Sequence, residues 1–152
     1  LGEGKLIVDA TMGGGGHSLE IVKRIFPTGR LIGVDKDIEA IERCKKRLCE
    51  YEQSVTYIKS DFKNVKEKIL EMYPGGVDGI LADLGVSSFQ LEDKKRGVSY
   101  NADTRLDMRM DLSSDFTAYD VVNGYSKDEL KRIFYEYGEE KWSARIAYFI
   151  VN

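Results

Sequence analysis

The sequence has 152 residues, of which 42% are hydrophobic and 32% are charged, so its size and composition suit one folded domain with a real core. The formal net charge of −3 gives no support for a nucleic-acid-binding surface over the whole chain, although a local basic patch stays open. No apolar run is long enough to span a membrane, so no membrane association is expected. The chain starts at Leu1 without an initiator methionine and stops at Asn152 within a predicted helix, and we therefore expect a fragment of a longer protein.

The two cysteines, Cys44 and Cys49, fall in one predicted helix at a spacing that points them to different faces. This spacing suggests neither a disulfide nor a pair of metal ligands. We expect reduced thiols in a cytoplasmic protein, and no metal site.

Three strand–helix units and a fourth strand fill the first part of the chain. Strands and helices that alternate in this way predict an α/β fold with a parallel sheet and right-handed crossovers. Each helix carries apolar residues on neighbouring turns, and turn signals at residues 27–29 and 74–76 end the first and the third helix. The predicted strands are residues 6–8, 31–34, 55–58 and 77–84, and the apolar helical faces lie within residues 19–26, 38–48 and 65–72.

The pattern changes after the fourth strand. Residues 85–112 predict little regular structure but carry many apolar residues, which favours a functional segment over disorder. Three helices follow. The first is predicted at residues 117–122, the second begins after a capping box at Ser126, and the third covers residues 142–151. We therefore predict one domain at residues 1–111 and the start of a separate helical domain at residues 112–152.

Polar side chains follow all four predicted strands. Ligands of open parallel sheets bind beyond the carboxyl ends of the strands, so these side chains predict a binding site there. Any one of them could instead cap a helix. The residues are Asp9 with the glycines behind it, Asp35, the pair Asp61 and Phe62, and Asp83.

The glycine run after the first strand predicts a cofactor loop, since glycine allows tight turns and close approach to a ligand. A dinucleotide loop expects G-x-G-x-x-G, but Ser18 stands where the third glycine belongs. The spacing of Asp9, Thr11, Gly13 and Gly15 fits the first motif of S-adenosylmethionine-dependent methyltransferases better.

The remaining strand ends fit the same cofactor. The Asp35 carboxylate would accept hydrogen bonds from the ribose hydroxyls, and Asp61 and Phe62 would meet the adenine, although Phe62 could equally be a core residue. His17 has no carboxylate partner identifiable from spacing, so we favour a hydrogen bond to the cofactor over a role as general base.

Asp83 holds the position after the fourth strand, where methyltransferases that act on exocyclic amines place an Asp or Asn. Such an acceptor would bind the amine hydrogens and turn the nitrogen lone pair to the methyl donor. Ser87 and Ser88 would either cap the next helix or touch the substrate, and the sequence does not separate these two roles.

Together these motifs resemble the bacterial RsmH family, also called MraW, of cytosine-N4 methyltransferases of small-subunit ribosomal RNA. The resemblance covers almost the whole chain. Mild departures include Met12, Tyr100 and Trp142, and the chain lacks the later Ser-Phe-His-Ser segment of the family. The strings that carry the resemblance are residues 9–18 (DATMGGGGHS), 33–37 (GVDKD), 83–91 (DLGVSSFQL), 96–97 (RG), 106–111 (LDMRMD) and 137–140 (YGEE).

The resemblance implies a class I methyltransferase domain with an inserted helical domain, acting on one cytidine of the decoding centre in the assembled small ribosomal subunit. The implied cofactor is S-adenosyl-L-methionine. The family's cofactor positions fall on matching residue types at Gly15, Gly16, His17, Asp35, Phe62, Asp83 and Gln90.

Two other functions stay open beside methylation of ribosomal RNA. One is a catalytically silent ribosome-assembly factor that binds the cofactor, and the other is a nicotinamide-dependent oxidoreductase, which Ser18 disfavours. For RNA contact we single out Arg96, Arg105 and Arg109. Each of these could instead form an ion pair with one of the acidic residues Asp93, Asp103, Asp107 and Asp111.

Overall fold

The structure is a computed structural model that describes residues 1–152. Its four strands form one sheet in the order β3-β2-β1-β4, and every neighbouring pair is parallel. This arrangement confirms the predicted α/β fold. The strands are β1 (Leu6–Asp9), β2 (Arg30–Asp35), β3 (Val55–Lys59) and β4 (Gly79–Leu81).

A helix follows each of the first three strands, as the sequence predicts. The later part of the chain adds four helices, of which α4 is a short one directly after the β4 loop. Short 3₁₀ turns occupy Cys49–Ser54, Phe62–Asn64 and Lys94–Arg96. The helices are α1 (Gly16–Ile25), α2 (Ile38–Arg47), α3 (Val65–Met72), α4 (Ser88–Glu92), α5 (Ala118–Gly124), α6 (Lys127–Glu136) and α7 (Ser143–Val151). None of them is both long and apolar enough to cross a lipid bilayer.

The sheet has a hydrophobic cluster on each face because successive strand residues point to opposite sides. On one face Ile7 and Leu31 pack with the buried residues of α1 and α2. On the other face the next residues, Val8 and Ile32, pack with the buried residues of α3. The central strands β1 and β2 are therefore covered on both faces, which is why they read as continuous apolar runs.

The strand order reverses at β1. From this strand the chain first builds outward to β2 and β3 and then returns to place β4 on the other side of β1. Such a reversal opens a crevice at the carboxyl ends of the two strands and is the usual ligand site of open α/β sheets. In this chain that position is the point where β1 runs into the glycine loop.

The fourth strand is shorter than predicted. Residues 77–84 read as one strand, but the ladder with β1 covers only Gly79–Leu81. Before it, the Asp78 carboxylate accepts a hydrogen bond from the Leu6 amide at 2.8 Å, and after it the Asp83 amide turns to the Thr11 side chain. Before β4 the backbone ladder also continues, since the Asp78 amide donates to the Leu6 carbonyl oxygen at 2.8 Å. A side-chain oxygen therefore replaces the ladder only after β4, at Asp83.

Some apolar residues predicted for helical faces lie largely outside the core, among them Ile38 at the start of α2, which is 48% exposed. Phe26 is 45% exposed and packs edge to face on Tyr51, with ring centroids 5.4 Å apart, because α1 has already ended at Ile25. Met72, the last residue of α3, is also 45% exposed. The spacing of apolar residues identified both α1 and α3, but it extended beyond the last buried residue of each.

The chain divides into two compact units, Leu1–Gln90 and Leu91–Asn152. In the second unit α6 and α7 pack together with Leu130 and Ala147 fully buried. The predicted helices are confirmed, and Ser126 forms the expected capping box with Glu129. Residues 85–112 contain only α4 and one 3₁₀ turn. A domain boundary at residues 111 and 112 stays a prediction.

Candidate functional site

The Asp9 carboxylate lies beneath the glycine loop and shapes it. Its Oδ2 accepts a hydrogen bond from Ser18 Oγ at 2.6 Å, and its Oδ1 accepts one from the Thr11 amide at 3.2 Å. The residue is fully buried, and this burial raises the pKa of its carboxyl above the usual value. The structure therefore places Asp9 as a support of the loop, without an exposed surface for a ligand.

The Asp35 carboxylate holds the same loop from the end of β2. Its Oδ2 accepts a hydrogen bond from the Gly13 amide at 2.9 Å, and its Oδ1 accepts one from the Asp37 amide at 2.9 Å. A carboxylate oxygen has more than one acceptor site. Because Asp35 is only partly buried, it can hold the loop and still accept hydrogen bonds from a ligand.

Two glycines of the loop leave no room for a side chain. Gly15 has a φ of +76°, and a Cβ there would lie 2.8 Å from the Cys44 sulfur. A Cβ on Gly14 would lie 2.5 Å from the Phe89 ring. The loop backbone is thus packed between Cys44 and Phe89, and the remaining glycines, Gly13 and Gly16, do not meet such close contacts.

The Cys44 thiol is part of this packing and is not a reactive group. It is fully buried and lies 3.3 Å from the Gly13 carbonyl oxygen, to which it donates. Burial raises the pKa of the thiol to about 12. Since the thiolate is the nucleophilic form, Cys44 stays inert at neutral pH.

Asp83 and His17 come together at the carboxyl end of β4. The Asp83 amide donates to Thr11 Oγ1 at 2.7 Å, and the Asp83 carboxylate oxygen lies 3.8 Å from His17 Nδ1. Their side chains are 70% and 60% exposed. The sequence offered no carboxylate partner for His17, because the two residues are far apart in the chain and meet only through the sheet.

Residues 87–90 form a reciprocal cap at the start of α4. The Ser87 hydroxyl accepts from the Gln90 amide at 3.3 Å, and Gln90 Oε1 accepts from the Ser87 amide at 3.0 Å. The structure thus shows Ser87 as a helix cap, while Ser88 is exposed. Contact of either serine with the substrate stays a prediction. The Ser-x-x-Gln spacing is a known capping signal, and it could have been found in the sequence.

Gln90 and Phe89 attach this cap to α2 and its N-terminus. The buried Gln90 side chain donates from Nε2 to Asp37 Oδ2 at 3.2 Å. The Arg43 guanidinium lies over the Phe89 ring at 5.0 Å from its centroid, a cation–π contact. Neither Asp37 nor Arg43 was singled out from the sequence, because only the fold brings them beside residues 89 and 90.

Phe62 is placed on the surface after β3. It begins the 3₁₀ turn Phe62–Asn64, and Asp61 caps that turn by accepting from the Lys63 amide at 3.0 Å. The Phe62 side chain is 49% exposed. It is therefore not a core residue and presents an aromatic face at a strand end.

The three arginines singled out for RNA contact lie in the second unit and have different surroundings. Arg96 is 2% exposed and donates to the carbonyl oxygens of Arg109 and Met110 at 3.3 and 3.0 Å. Arg109 makes a bidentate pair with Asp107 at 2.8 and 2.7 Å. Both guanidinium groups hold the loop that contains them.

The Asp107 carboxylate is fixed as an anion by this pair. Hydrogen bonds from the Arg109 guanidinium lower the pKa of the Asp107 carboxyl to about 2. Arg105 differs from the other two arginines because it is exposed. Its guanidinium lies over the Tyr119 ring at 5.6 Å from the centroid.

The fold and the loop together define a class of protein. The parallel sheet reverses its strand order at β1, and a glycine loop follows that strand. Carboxylates lie at the ends of β1 and β2 and just beyond β4. These features are typical of a Rossmann-like α/β domain that binds a nucleotide-type cofactor.

The comparisons with known proteins identify the family within that class. The model of the MraW methylase family matches residues 1–152. The chain belongs to this family of S-adenosylmethionine-dependent methyltransferases, which confirms the resemblance and the Rossmann-like methyltransferase fold, here with a partial sheet.

Two curated relatives carry the name ribosomal RNA small subunit methyltransferase H. The one from Clostridioides difficile strain 630 is 54% identical over 145 residues, which are 95% of this chain and 47% of the relative. The one from Clostridium botulinum strain Loch Maree is 51% identical over 150 residues, which are 99% of this chain and 48% of the relative. The chain thus spans about half the length of these relatives.

Among solved structures, a Clostridium thermocellum protein is 30% identical, with a TM-score of 0.43 over 44% of this chain and 38% of that one.

Proposed function

We propose that the protein transfers a methyl group from S-adenosyl-L-methionine to the exocyclic N4 of a cytidine in the decoding centre of small-subunit ribosomal RNA. Membership of the MraW methylase family and the names of the two relatives support this proposal. The observation that carries it is the exposed Asp83 carboxylate, whose backbone is anchored to the cofactor loop through Thr11.

The residues around the loop suit this cofactor. When bound, S-adenosylmethionine supplies an electrophilic methyl group on a sulfonium. Asp35 would accept from the ribose hydroxyls, and Phe62 would offer its exposed ring to the adenine. The loop backbone at Gly13, Gly15 and Gly16 would face the ligand. At Gly15 this backbone conformation requires glycine, because φ is +76° and a Cβ would lie 2.8 Å from the Cys44 sulfur.

The other predicted cofactor residues divide into two groups. His17 and Asp83 are exposed and within reach of a ligand at the loop. Asp9 and Gln90 are buried and make hydrogen bonds inside the protein, so we propose that they act on the cofactor by holding the loop and the cap at residues 87–90.

Asp83 is the proposed catalytic residue. A carboxylate accepts hydrogen bonds only, so it would bind the hydrogens of an exocyclic amine and turn the nitrogen lone pair to the methyl donor. The amine loses one proton as it gains the methyl group, and we propose that the Asp83 carboxylate accepts that proton. We propose that the exposed Ser88 contacts the target and that the half-buried Ser87, which caps α4, can donate its remaining hydroxyl hydrogen to it.

The proposed function is tested with the full-length protein, labelled S-adenosylmethionine and purified small ribosomal subunits. We expect the label to enter the ribosomal RNA at a single cytosine N4, and subunits that already carry the methyl group to take up none. Calorimetric binding of S-adenosylmethionine without transfer to any assembly stage of the subunit would instead show a silent assembly factor. Binding of a nicotinamide dinucleotide in its place would indicate an oxidoreductase.

For RNA contact we propose Arg105 as the direct phosphate ligand, with Arg96 and Arg109 acting through the loop that they hold. Arg105→Ala should weaken binding to the subunit and reduce the salt dependence of binding by about one counterion.

Arg96→Ala should instead lower the free energy of unfolding by about 1–3 kcal/mol, because two backbone carbonyls lose a buried charged donor.

Salt titrations of subunit binding and thermal unfolding separate these effects. Arg24→Ala is the matched control, since Arg24 lies on α1 and pairs there with Glu20 at 3.0 Å; it should leave the salt slope unchanged. A slope for Arg105→Ala equal to that of the unmodified protein would exclude Arg105 from phosphate contact.

A further inference from the structure

We propose that Thr11 is a positioning residue for methyl transfer, because its hydroxyl anchors the backbone of Asp83 to the cofactor loop. This inference rests on the proposed function and adds to it a residue that acts through Asp83. No contact between Thr11 and the cofactor or the target is required.

The anchor replaces the backbone ladder where β1 and β4 separate. Beyond the last paired residues, the Ala10 amide still donates to the Leu81 carbonyl oxygen at 2.8 Å. One residue later the pattern changes, and Thr11 Oγ1 accepts from the Asp83 amide at 2.7 Å. A side-chain oxygen therefore does for Asp83 what a strand carbonyl does for residues within the sheet.

Thr11 is itself held in place from the buried side. Its amide donates to Asp9 Oδ1 at 3.2 Å, and the other oxygen of that carboxylate accepts from Ser18 Oγ at 2.6 Å. Asp9 and Ser18 are both fully buried. Hydrogen bonds thus run without a break from α1, through the end of β1, to the backbone of Asp83.

The surroundings of Asp83 make such an anchor necessary. Residues 82–86 are all exposed, and Gly85 lies within them at a φ of +154°. An exposed segment with glycine samples many conformations unless it is tied down. The bond to Thr11 fixes the backbone of Asp83 and leaves the carboxylate 70% exposed and 3.8 Å from His17 Nδ1, so the catalytic group is held but not covered.

The residue type fits this role. A β-branched side chain has few χ1 states, so the Thr11 oxygen is presented at little entropic cost. After accepting from Asp83, the hydroxyl still has a hydrogen to donate. Valine has the same shape without the acceptor, and serine has the acceptor without the methyl group, so the two substitutions separate shape from hydrogen bonding.

The test compares Thr11→Val and Thr11→Ser in the full-length protein at saturating S-adenosylmethionine and small subunits. We expect Thr11→Val to lower kcat by about tenfold, as a misaligned reacting group does. The dissociation constant for the cofactor should stay within about twofold, because Thr11→Val leaves the Asp9–Ser18 pair and the loop glycines in place. Thr11→Ser should restore most of kcat. Thr28→Val, the same change at an exposed residue before β2, is the control and should match the unmodified protein.

A second measurement detects the anchor directly in the full-length protein. Hydrogen exchange at the Asp83 amide should be about tenfold faster in Thr11→Val than in Thr11→Ser, since only the former lacks the acceptor. A Thr11→Val variant with unchanged kcat, or unchanged exchange at Asp83, would overturn the inference. So would an equal loss of kcat in Thr11→Val and Thr11→Ser. No transfer by the unmodified protein would instead overturn the proposed function.

Discussion

Asp83→Ala is expected to lower the rate of methyl transfer by about a hundredfold or more in the full-length protein. The substitution removes the exposed acceptor that would align the target amine, and alignment of reacting groups accounts for factors of this size. The backbone bond from residue 83 to Thr11 is kept, because it uses the amide and not the carboxylate. Single-turnover transfer of labelled methyl to small subunits measures the effect.

Two variants make this prediction specific. Asp83→Asn keeps one acceptor oxygen and should retain more activity than Asp83→Ala. Asp128→Ala removes an exposed carboxylate from the first turn of α6 and should leave transfer unchanged. Full activity of Asp83→Ala would remove Asp83 from the mechanism.

Gly15→Ala is expected to weaken binding of S-adenosylmethionine by about tenfold or more. The backbone of Gly15 is left-handed, which costs an L-residue about 1–2 kcal/mol, and the new Cβ would lie 2.8 Å from the Cys44 sulfur. The loop must move to relieve this contact, and with it the backbone that faces the ligand. Calorimetric titration of the cofactor measures the loss.

Gly75→Ala is the matched control, because a Cβ there meets no atom within 4 Å. The double variant Gly15→Ala, Cys44→Ala removes the contact but not the strained φ, so it should recover part of the affinity. Cofactor affinity of Gly15→Ala equal to that of Gly75→Ala would show that the loop does not depend on this conformation.

Most of the sheet and its helices were predictable because their signals are local. β1 and β2 are buried on both faces, so apolar runs ended by Asp9 and Asp35 marked them directly. The helices follow from apolar periodicity and capping signals, such as the box at Ser126. The glycine loop was predictable for the same reason, since its backbone requirements are met by neighbouring residues in the chain.

The arginines show where local reasoning stopped. Arg96, Arg105 and Arg109 look alike in the sequence, and each has acidic residues nearby. The Arg96 side chain is 2% exposed and donates to backbone carbonyl oxygens, and Arg109 forms a bidentate pair with Asp107. Arg105, in contrast, is exposed. Burial depends on how residues 96–119 fold over each other, and no spacing rule contains that information.

The sequence by itself determined the α/β class, the loop after β1, and the family, because these depend on residue types at short spacings. Only the tertiary structure decided which groups meet at the strand ends. Parallel strands bring residues 11 and 83, or 17 and 83, to one edge of the sheet although more than sixty positions separate them. The bond from the Asp83 amide to Thr11, the nearness of His17, and the burial of Asp9 beneath the loop all follow from that pairing.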